Sequence, residues 1–144
     1  MPSPSPMLAS QRIVQVCLFL VAAIAVLGGT LQMSLGQPET SPRLDNVHRF
    51  MAGVYLATGI ISFWAASTIR RQGTLVYLLA VGVLLAAIGR LVSISQVGLP
   101  EPGAVWLAYL IPELLLPVVI AVAHTVTSRH GARTISATSS STAT

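Results

Sequence analysis

The stretch LIPELLLP, from Leu110 to Pro117, places one carboxylate, Glu113, in a strongly apolar part of the chain. No other residue between Glu101 and Arg129 carries a formal charge. Soluble domains contain about 25% charged residues, whereas this chain of 144 residues contains 8% and is 53% hydrophobic. The sequence therefore predicts an integral membrane protein in which Glu113 lies within the bilayer.

Four segments are long enough and apolar enough to cross a bilayer as helices, for which about 20 residues are needed. They cover residues 13–35, 46–69, 74–97 and 104–126. We therefore predict an all-α fold, an integral membrane four-helix bundle formed by residues 12–128. The terminal segments, residues 1–11 and 129–144, are rich in Ser, Thr and Pro and are predicted to be disordered tails.

The arginines predict the orientation of the helices. All eight basic residues are arginine, and most of them flank apolar segments. Five fall on one side of a four-span arrangement, and these are Arg12, Arg70, Arg71, Arg129 and Arg133. Because cytoplasmic loops are enriched in Lys and Arg, this side is predicted to be cytoplasmic together with both termini. We expect a multi-pass protein of a cell membrane, surrounded by lipid and without a nucleic-acid partner.

Each predicted helix has a face of small and polar residues at alternating spacings of three and four, the pattern of helices in a left-handed bundle. On the first two helices the faces comprise Gln15, Leu18, Ala22, Ala25, Gly29 and Gln32, then Asp45, Arg49, Ala52, Leu56, Gly59 and Phe63. On the last two they comprise Gly82, Ala86, Gly89, Ser93 and Gln96, then Trp106, Tyr109, Glu113, Pro117, Ile120 and His124. We expect these faces to pack against neighbouring helices.

Three predicted helices carry a charge in the outer half of the membrane, namely Arg49, Arg90 and Glu113. From the helix rise, Arg90 lies ~10 Å and Glu113 ~13 Å from the outer ends of their helices. An isolated charge at mid-bilayer costs about 2.5–3.5 kcal/mol on insertion scales. We therefore expect Arg90 to pair with Glu113, with Arg49 as the alternative partner.

Two prolines flank the carboxylate. A proline inside a helix removes a backbone donor, so Pro112 frees the carbonyl of Ala108 and Pro117 frees the carbonyl of Glu113. Freed carbonyls within a membrane need new partners or a wet cavity. Together with the charges, they suggest a polar cavity that opens toward the outer face.

Two interpretations of this cluster compete. One is a structural ion pair that fixes the register of two helices. The other is a pocket for a small lipophilic molecule, in which the candidate catalytic residues are Glu113, Arg90, Arg49 and Asp45. The candidate ligand-binding residues are Asn46, His48, Tyr55, Ser93, Trp106 and Tyr109.

The pocket interpretation favours chemistry without a cofactor, because the sequence has no metal-ligand motif, phosphate-binding loop or nucleophile elbow. A carboxylate can act as general base or acid, and guanidinium groups can stabilise an oxyanion. Isomerisation, hydration, epoxide opening and cyclisation would suit such a site. The alternative function is that of a non-enzymatic accessory or assembly subunit, packed in a homo-oligomer or a larger membrane complex. A channel is less favoured because the inner halves of the helices are nearly free of charge.

Three short motifs resemble those of a known group of proteins: LDNVHRFMAGVYLATGIISFW, IGRLVS and PELLLP. This group consists of small bacterial four-helix membrane proteins that are catalogued as a domain of unknown function and are loosely similar to DoxX-like proteins. The resemblance covers about residues 12–126 and rests on Arg49, Gly89, Arg90 and Glu113. It implies four membrane-spanning helices, a buried Arg/Glu centre and a bacterial inner-membrane location, but no reaction.

Overall fold

The computed structural model describes residues 6–141, and the side chains of residues 6–130. Four long helices follow one another, and a short 3₁₀ helix, Ile69–Arg71, lies between the second and the third. The long helices are α1 (Ala9–Leu35), α2 (Pro42–Ser67), α3 (Thr74–Val97) and α4 (Gly103–Ser141). The described residues contain no β-strand. The predicted all-α fold with four helices is therefore confirmed.

All four helices are long and apolar enough to cross a membrane, with spans Ala9–Leu35, Pro42–Ser67, Thr74–Val97 and Gly103–His130. The spans contain 24 to 28 residues, which at 1.5 Å per residue gives about 36–42 Å, more than the ~30 Å of the hydrocarbon core. Large apolar side chains such as Leu27 and Leu85, which are 72% and 60% exposed, cover the outer surface. Such a surface suits a lipid environment and confirms the prediction of a membrane protein.

The main differences from the predicted helix boundaries lie at three places. Helix α1 begins at Ala9, four residues before the predicted start and within the predicted N-terminal tail of residues 1–11. Helix α2 begins at Pro42, four residues before the predicted start, because the Ser41 hydroxyl caps it by accepting a hydrogen bond from the Leu44 N–H. Helix α4 continues through residues 129–141, for which the sequence predicted a disordered tail. Extending an existing helix costs far less than starting a new one. Residues 1–5 and 142–144 of the predicted tails lie outside the described residues.

The chain divides into two compact units. The first, which we call the α1–α2 unit, comprises residues 15–71. The second, the α3–α4 unit, comprises the described residues on either side of it, 6–14 and 72–141.

Within the α1–α2 unit, two glycines allow the helix backbones to approach closely. A Cβ on Gly29 would lie 2.8 Å from the Leu56 nitrogen and 2.9 Å from the Ala52 oxygen. A Cβ on Gly59 would lie 2.9 Å from the Val26 nitrogen. Real Cβ atoms do not come so close, so only glycine fits at either position. The predicted face of α1 is confirmed, since its residues are buried or half-buried.

The predicted face of α2 is wrong at one residue. Phe63 is 58% exposed, whereas the neighbouring Ser62 is fully buried. The close backbone approach at Gly59, one turn earlier, leaves room for a small side chain and none for a phenyl ring. Phe63 instead makes an edge contact with Phe19, with 5.5 Å between the ring centroids.

Within the α3–α4 unit, the predicted packing face is correct for α4 and wrong for α3. The predicted face of α4 is confirmed: Trp106 and Tyr109 are half-buried, and the residues from Glu113 to His124 on that face are buried. The predicted face of α3 is wrong, because Gly82, Ala86, Gly89, Ser93 and Gln96 are exposed. The covered face comprises Val76, Ala80, Val83, Ala87, Arg90 and Ile94. It is displaced by one residue from the prediction, which turns the helix by about 100°.

Candidate functional site

The centre of the candidate site is an ion pair that joins α3 to α4. The Arg90 Nε–H donates to Glu113 Oε2 at 2.7 Å, and Arg90 Nη2 donates to Glu113 Oε1 at 3.2 Å. This two-bond geometry is the strongest arrangement available to an arginine and a carboxylate. The predicted pairing of Glu113 with Arg90 is thus confirmed.

The two side chains of the pair differ in how far they are buried. The Glu113 side chain is 5% exposed, whereas the Arg90 side chain is 24% exposed. A carboxylate removed from water and left alone would be costly, so the guanidinium is needed to keep it in place. The guanidinium itself remains partly accessible.

Two aromatic rings of α4 flank the guanidinium. The Arg90 Cζ atom lies 5.8 Å from the Trp106 ring centroid and 5.7 Å from the Tyr109 ring centroid. Trp106, Tyr109 and Glu113 occur at spacings of three and four, so they share one face of α4. Both distances fall within the range of cation–π attraction. The sequence predicted Trp106 and Tyr109 as ligand-binding residues, and the structure brings both to Arg90.

Arg90 keeps hydrogen-bonding capacity beyond the pair. A guanidinium has five N–H donors, and Glu113 accepts from two of them. The Arg90 side chain donates no other hydrogen bond to the described residues, and the two aromatic rings lie beside it. The site therefore combines a buried anion, a partly accessible cation and two aromatic rings.

Both prolines lie inside helix α4, which is continuous through them. Pro117 is buried and Pro112 is half-buried. Pro117 has no N–H to donate to the carbonyl of Glu113, so the helix ladder is interrupted at the carboxylate. The polar cavity that these prolines suggested stays a prediction.

Arg49 and Asp45 lie at the connection between α1 and α2, and the catalytic role predicted for them stays a prediction. The Arg49 Nε–H donates to Asp45 Oδ2 at 2.9 Å, within α2, and Arg49 Nη1 donates to the carbonyl of Met33 near the end of α1. The other Asp45 oxygen accepts from the backbone N–H of Gln37. Gly36, with φ +60°, ends α1 between these groups. Arg49 and Asp45 therefore hold the connection between α1 and α2, and an arginine at a helix C-terminus also interacts favourably with the helix dipole.

The remaining predicted ligand-binding residues are spread over both units. In the α1–α2 unit Asn46 is exposed, and His48 and Tyr55 are half-buried. In the α3–α4 unit Ser93 is exposed on α3, one turn beyond Arg90. Their roles in binding stay predictions.

A second polar cluster joins α3 to α4 farther along, and the sequence did not predict it. The His124 Nε2 lies 3.1 Å from the Gly73 carbonyl, and the imidazole makes an edge contact with the Tyr77 ring at 4.8 Å. The Tyr77 hydroxyl lies 3.0 Å from Thr125 Oγ1. His124 is 6% exposed, as its place on the predicted face of α4 indicated. Its position on the same face of α4 as Glu113 was the available signal.

The described residues contain no group of three or more His, Cys, Asp or Glu side chains that could hold a metal ion.

These features define a membrane protein with four apolar helices and an arginine–glutamate pair between two of them. The chain matches the family described as "Domain of unknown function (DUF4345)" over residues 11–124, and it belongs to this family. Comparisons with curated proteins and with solved structures gave no match. Membership of a family of unknown function is thus confirmed, whereas the likeness to DoxX-like proteins stays a prediction.

Proposed function

We propose that this protein binds a small lipophilic molecule at Arg90, with the aromatic rings of Trp106 and Tyr109 beside the polar end of the ligand. The observation that carries the proposal is the uneven cover of the ion pair: Glu113 is buried while Arg90 stays 24% exposed. A purely structural pair gains most when both charges are enclosed and all donors are used. Arg90 instead has donors beyond those that Glu113 occupies.

The surroundings of Arg90 favour a lipophilic ligand with a polar end. Hydrogen bonds to an arginine are strong in a poorly hydrated site, because water competes less for the donors. Small-molecule sites usually combine apolar and aromatic walls with a few fixed polar groups. Trp106 and Tyr109 supply the aromatic walls, and the pairing with Glu113 fixes the guanidinium.

Acid–base chemistry is the proposed extension of this binding function. Both Glu113 oxygens accept a hydrogen bond from Arg90. A carboxylate has about four lone-pair sites, so Glu113 could take a proton from a substrate while it stays bonded to Arg90. Arg90 would then stabilise the oxyanion that forms. This would support isomerisation, hydration, epoxide opening or cyclisation without a cofactor. Full turnover by Glu113→Gln on any substrate found would remove the carboxylate from the mechanism.

The binding proposal is tested by mass spectrometry of lipophilic molecules that co-purify with the protein. The variant is the double substitution Arg90→Leu with Glu113→Leu, which removes both charges together and leaves no unpaired ion. Glu39→Gln, at an exposed loop position of the α1–α2 unit, is the control. We expect a compound that is retained by the wild type and the control and lost by the double variant. Equal retention by all three proteins would refute the proposal.

A second candidate function is supported by the exposed stripe on α3. Gly82 and Gly89 have open space around them, with nothing within 4 Å of an added Cβ, and Ala86 and Ser93 continue the same stripe. Small residues allow membrane helices to approach closely. The stripe therefore supports an accessory subunit that packs against another membrane protein or a second copy, with Arg90–Glu113 as a structural pair. Purification in mild detergent with a stoichiometric protein partner that is lost in Gly82→Leu with Gly89→Leu would favour this function.

The proposed location is the cytoplasmic membrane of a bacterium, with both termini in the cytoplasm. Support comes from the arginines that flank the spans on one side, since positive residues are enriched in cytoplasmic loops. In this orientation Arg90 and Glu113 lie in the outer half of the bilayer. This orientation is tested by labelling intact cells from outside, with single cysteines at residue 40 or residue 72 in a Cys17→Ala background. A cysteine at residue 40 should be labelled, and one at residue 72 should not.

A further inference from the structure

We infer that the site at Arg90 selects a neutral lipophilic molecule with a hydrogen-bond acceptor oxygen, such as a ketone, quinone, ester or epoxide, and discriminates against lipophilic anions. This inference rests on the proposed function and names its ligand class. It follows from the charges that surround the donors of Arg90.

The charge of Arg90 is already compensated. Glu113 lies 2.7 Å from the guanidinium and is bonded to it through both oxygens. The pair is therefore neutral as a whole, although its remaining N–H groups are still donors. An anionic ligand would leave the site with one uncompensated negative charge in an apolar environment, which is unfavourable.

No other cation of the α3–α4 unit is close enough to offset such a charge. Among its described side chains the other arginines are Arg12 and Arg129. Arg129 follows Glu113 by 16 residues, ~24 Å along α4. The Ser10 hydroxyl lies 2.7 Å from the Thr127 hydroxyl, which places Arg12 near the same end of α4. The charge nearest to the pair along the chain on the other side is Glu101, which would also repel an anion.

A neutral ligand with an acceptor oxygen brings no uncompensated charge into the site. A carbonyl or ether oxygen can accept from Arg90 without adding charge, and the rest of the molecule can lie against Trp106 and Tyr109. Both rings already lie within 6 Å of the guanidinium. The site thus offers directional hydrogen bonds to an uncharged oxygen, with aromatic surface beside it.

The test compares two probes that differ in charge. One is a long-chain methyl ketone, and the other is an alkylsulfonate of equal chain length, which stays anionic at all accessible pH values. Binding is followed by fluorescence of Trp106 in phosphatidylcholine nanodiscs, with Trp64→Phe as the background because the chain contains two tryptophans. Partitioning of each probe into empty nanodiscs is subtracted.

We expect the ketone to bind at least about tenfold more tightly than the sulfonate. In Glu113→Gln, in contrast, the site gains a net positive charge, and the preference should shift toward the sulfonate. Glu39→Gln, which removes a carboxylate from the other unit, should leave the preference unchanged. If Glu113→Gln does not fold, the comparison of ketone and sulfonate binding by the wild-type protein is still a complete test.

Tighter binding of the sulfonate by the wild-type site would overturn the inference about ligand class and leave the proposed binding function in place. Binding of neither probe near Trp106 would overturn the proposed function and the inference with it. An unchanged preference in a folded Glu113→Gln variant would show that the carboxylate does not set the selectivity.

Discussion

The protein contains two arginine–carboxylate pairs, and their surroundings differ. Arg90–Glu113 joins two helices through two hydrogen bonds, and its carboxylate is 5% exposed. Arg49–Asp45 lies within one helix at a spacing of four residues, with side chains that are 42% and 24% exposed. The first pair joins two successive helices through residues 23 positions apart, whereas the second lies within α2 and supports the connection between α1 and α2.

The difference shows that the same chemical pair has different energetic roles. Breaking a buried pair leaves an uncompensated charge and is strongly destabilising. An exposed pair one turn apart contributes little, because solvent screens it and each partner can find water. Removing one partner from each pair in turn measures this contrast, and the expected effects follow in order of size.

The largest effect is expected for Glu113→Leu. This substitution leaves the Arg90 guanidinium without its carboxylate in an apolar environment, and we expect a loss of about 3 kcal/mol in unfolding free energy. The measurement is unfolding in a mixed-detergent titration, followed by circular dichroism. The double variant Arg90→Leu with Glu113→Leu should recover most of the loss. A double variant as unstable as Glu113→Leu would mean that packing, rather than charge, is responsible.

The next effect is expected for Gly36→Ala, beside the exposed pair. Gly36 has φ +60°, and a Cβ there would overlap Arg49 and Asp45. An alanine in the left-handed region costs about 1–2 kcal/mol before any crowding is counted.

The control is Gly36→Ala in a background with Asp45→Ala and Arg49→Ala, which removes the two side chains that a Cβ on Gly36 would meet. The loss of unfolding free energy in this background measures the backbone strain at φ +60° alone. If Gly36→Ala loses equal unfolding free energy in both backgrounds in the same titration, the Arg49–Asp45 contacts do not constrain the connection.

A smaller effect is expected for Arg90→Lys. The positive charge is kept, but an ammonium group cannot reproduce the two parallel N–H donors of a guanidinium. We expect a loss of about 1 kcal/mol in unfolding free energy, the contribution of one hydrogen bond. A loss as large as that of Glu113→Leu would indicate that geometry matters more than charge at this pair.

The smallest effect is expected for Asp45→Asn. An asparagine keeps one oxygen, which can accept from the Gln37 N–H or from Arg49, whereas the two Asp45 oxygens accept from one donor each. Because solvent screens this partly exposed pair, the lost hydrogen bond contributes little to stability. We expect unfolding free energy to remain within experimental error of the wild type. Destabilisation comparable to that of Glu113→Leu would erase the contrast between the two pairs.

Composition and periodicity were sufficient for much of this structure. Four apolar segments predicted four helices, because a membrane span needs a minimum length of apolar residues. The face of α4 was predictable because Glu113 and His124 are its polar members, and each must be turned away from lipid. The pairing of Glu113 with Arg90 followed from the cost of an isolated charge.

The local connection between α1 and α2 was less predictable. Asp45 and Arg49 bond to the backbone of Gln37 and Met33, contacts that the sequence did not predict. The contacts of Arg49 depend on where α1 ends. Such contacts between neighbouring elements do not follow from spacing within one helix.

The sequence by itself determined the membrane class, the four helices and the need of Glu113 for a cation. Only the tertiary structure decided which face of α3 meets α4: the face with Ala87 and Arg90 is covered, and the one with Ala86 and Gly89 is exposed. In water, hydrophobicity distinguishes a buried face from an exposed one. In lipid both faces are apolar, so the choice depends on close packing and on the one charge that must reach its partner.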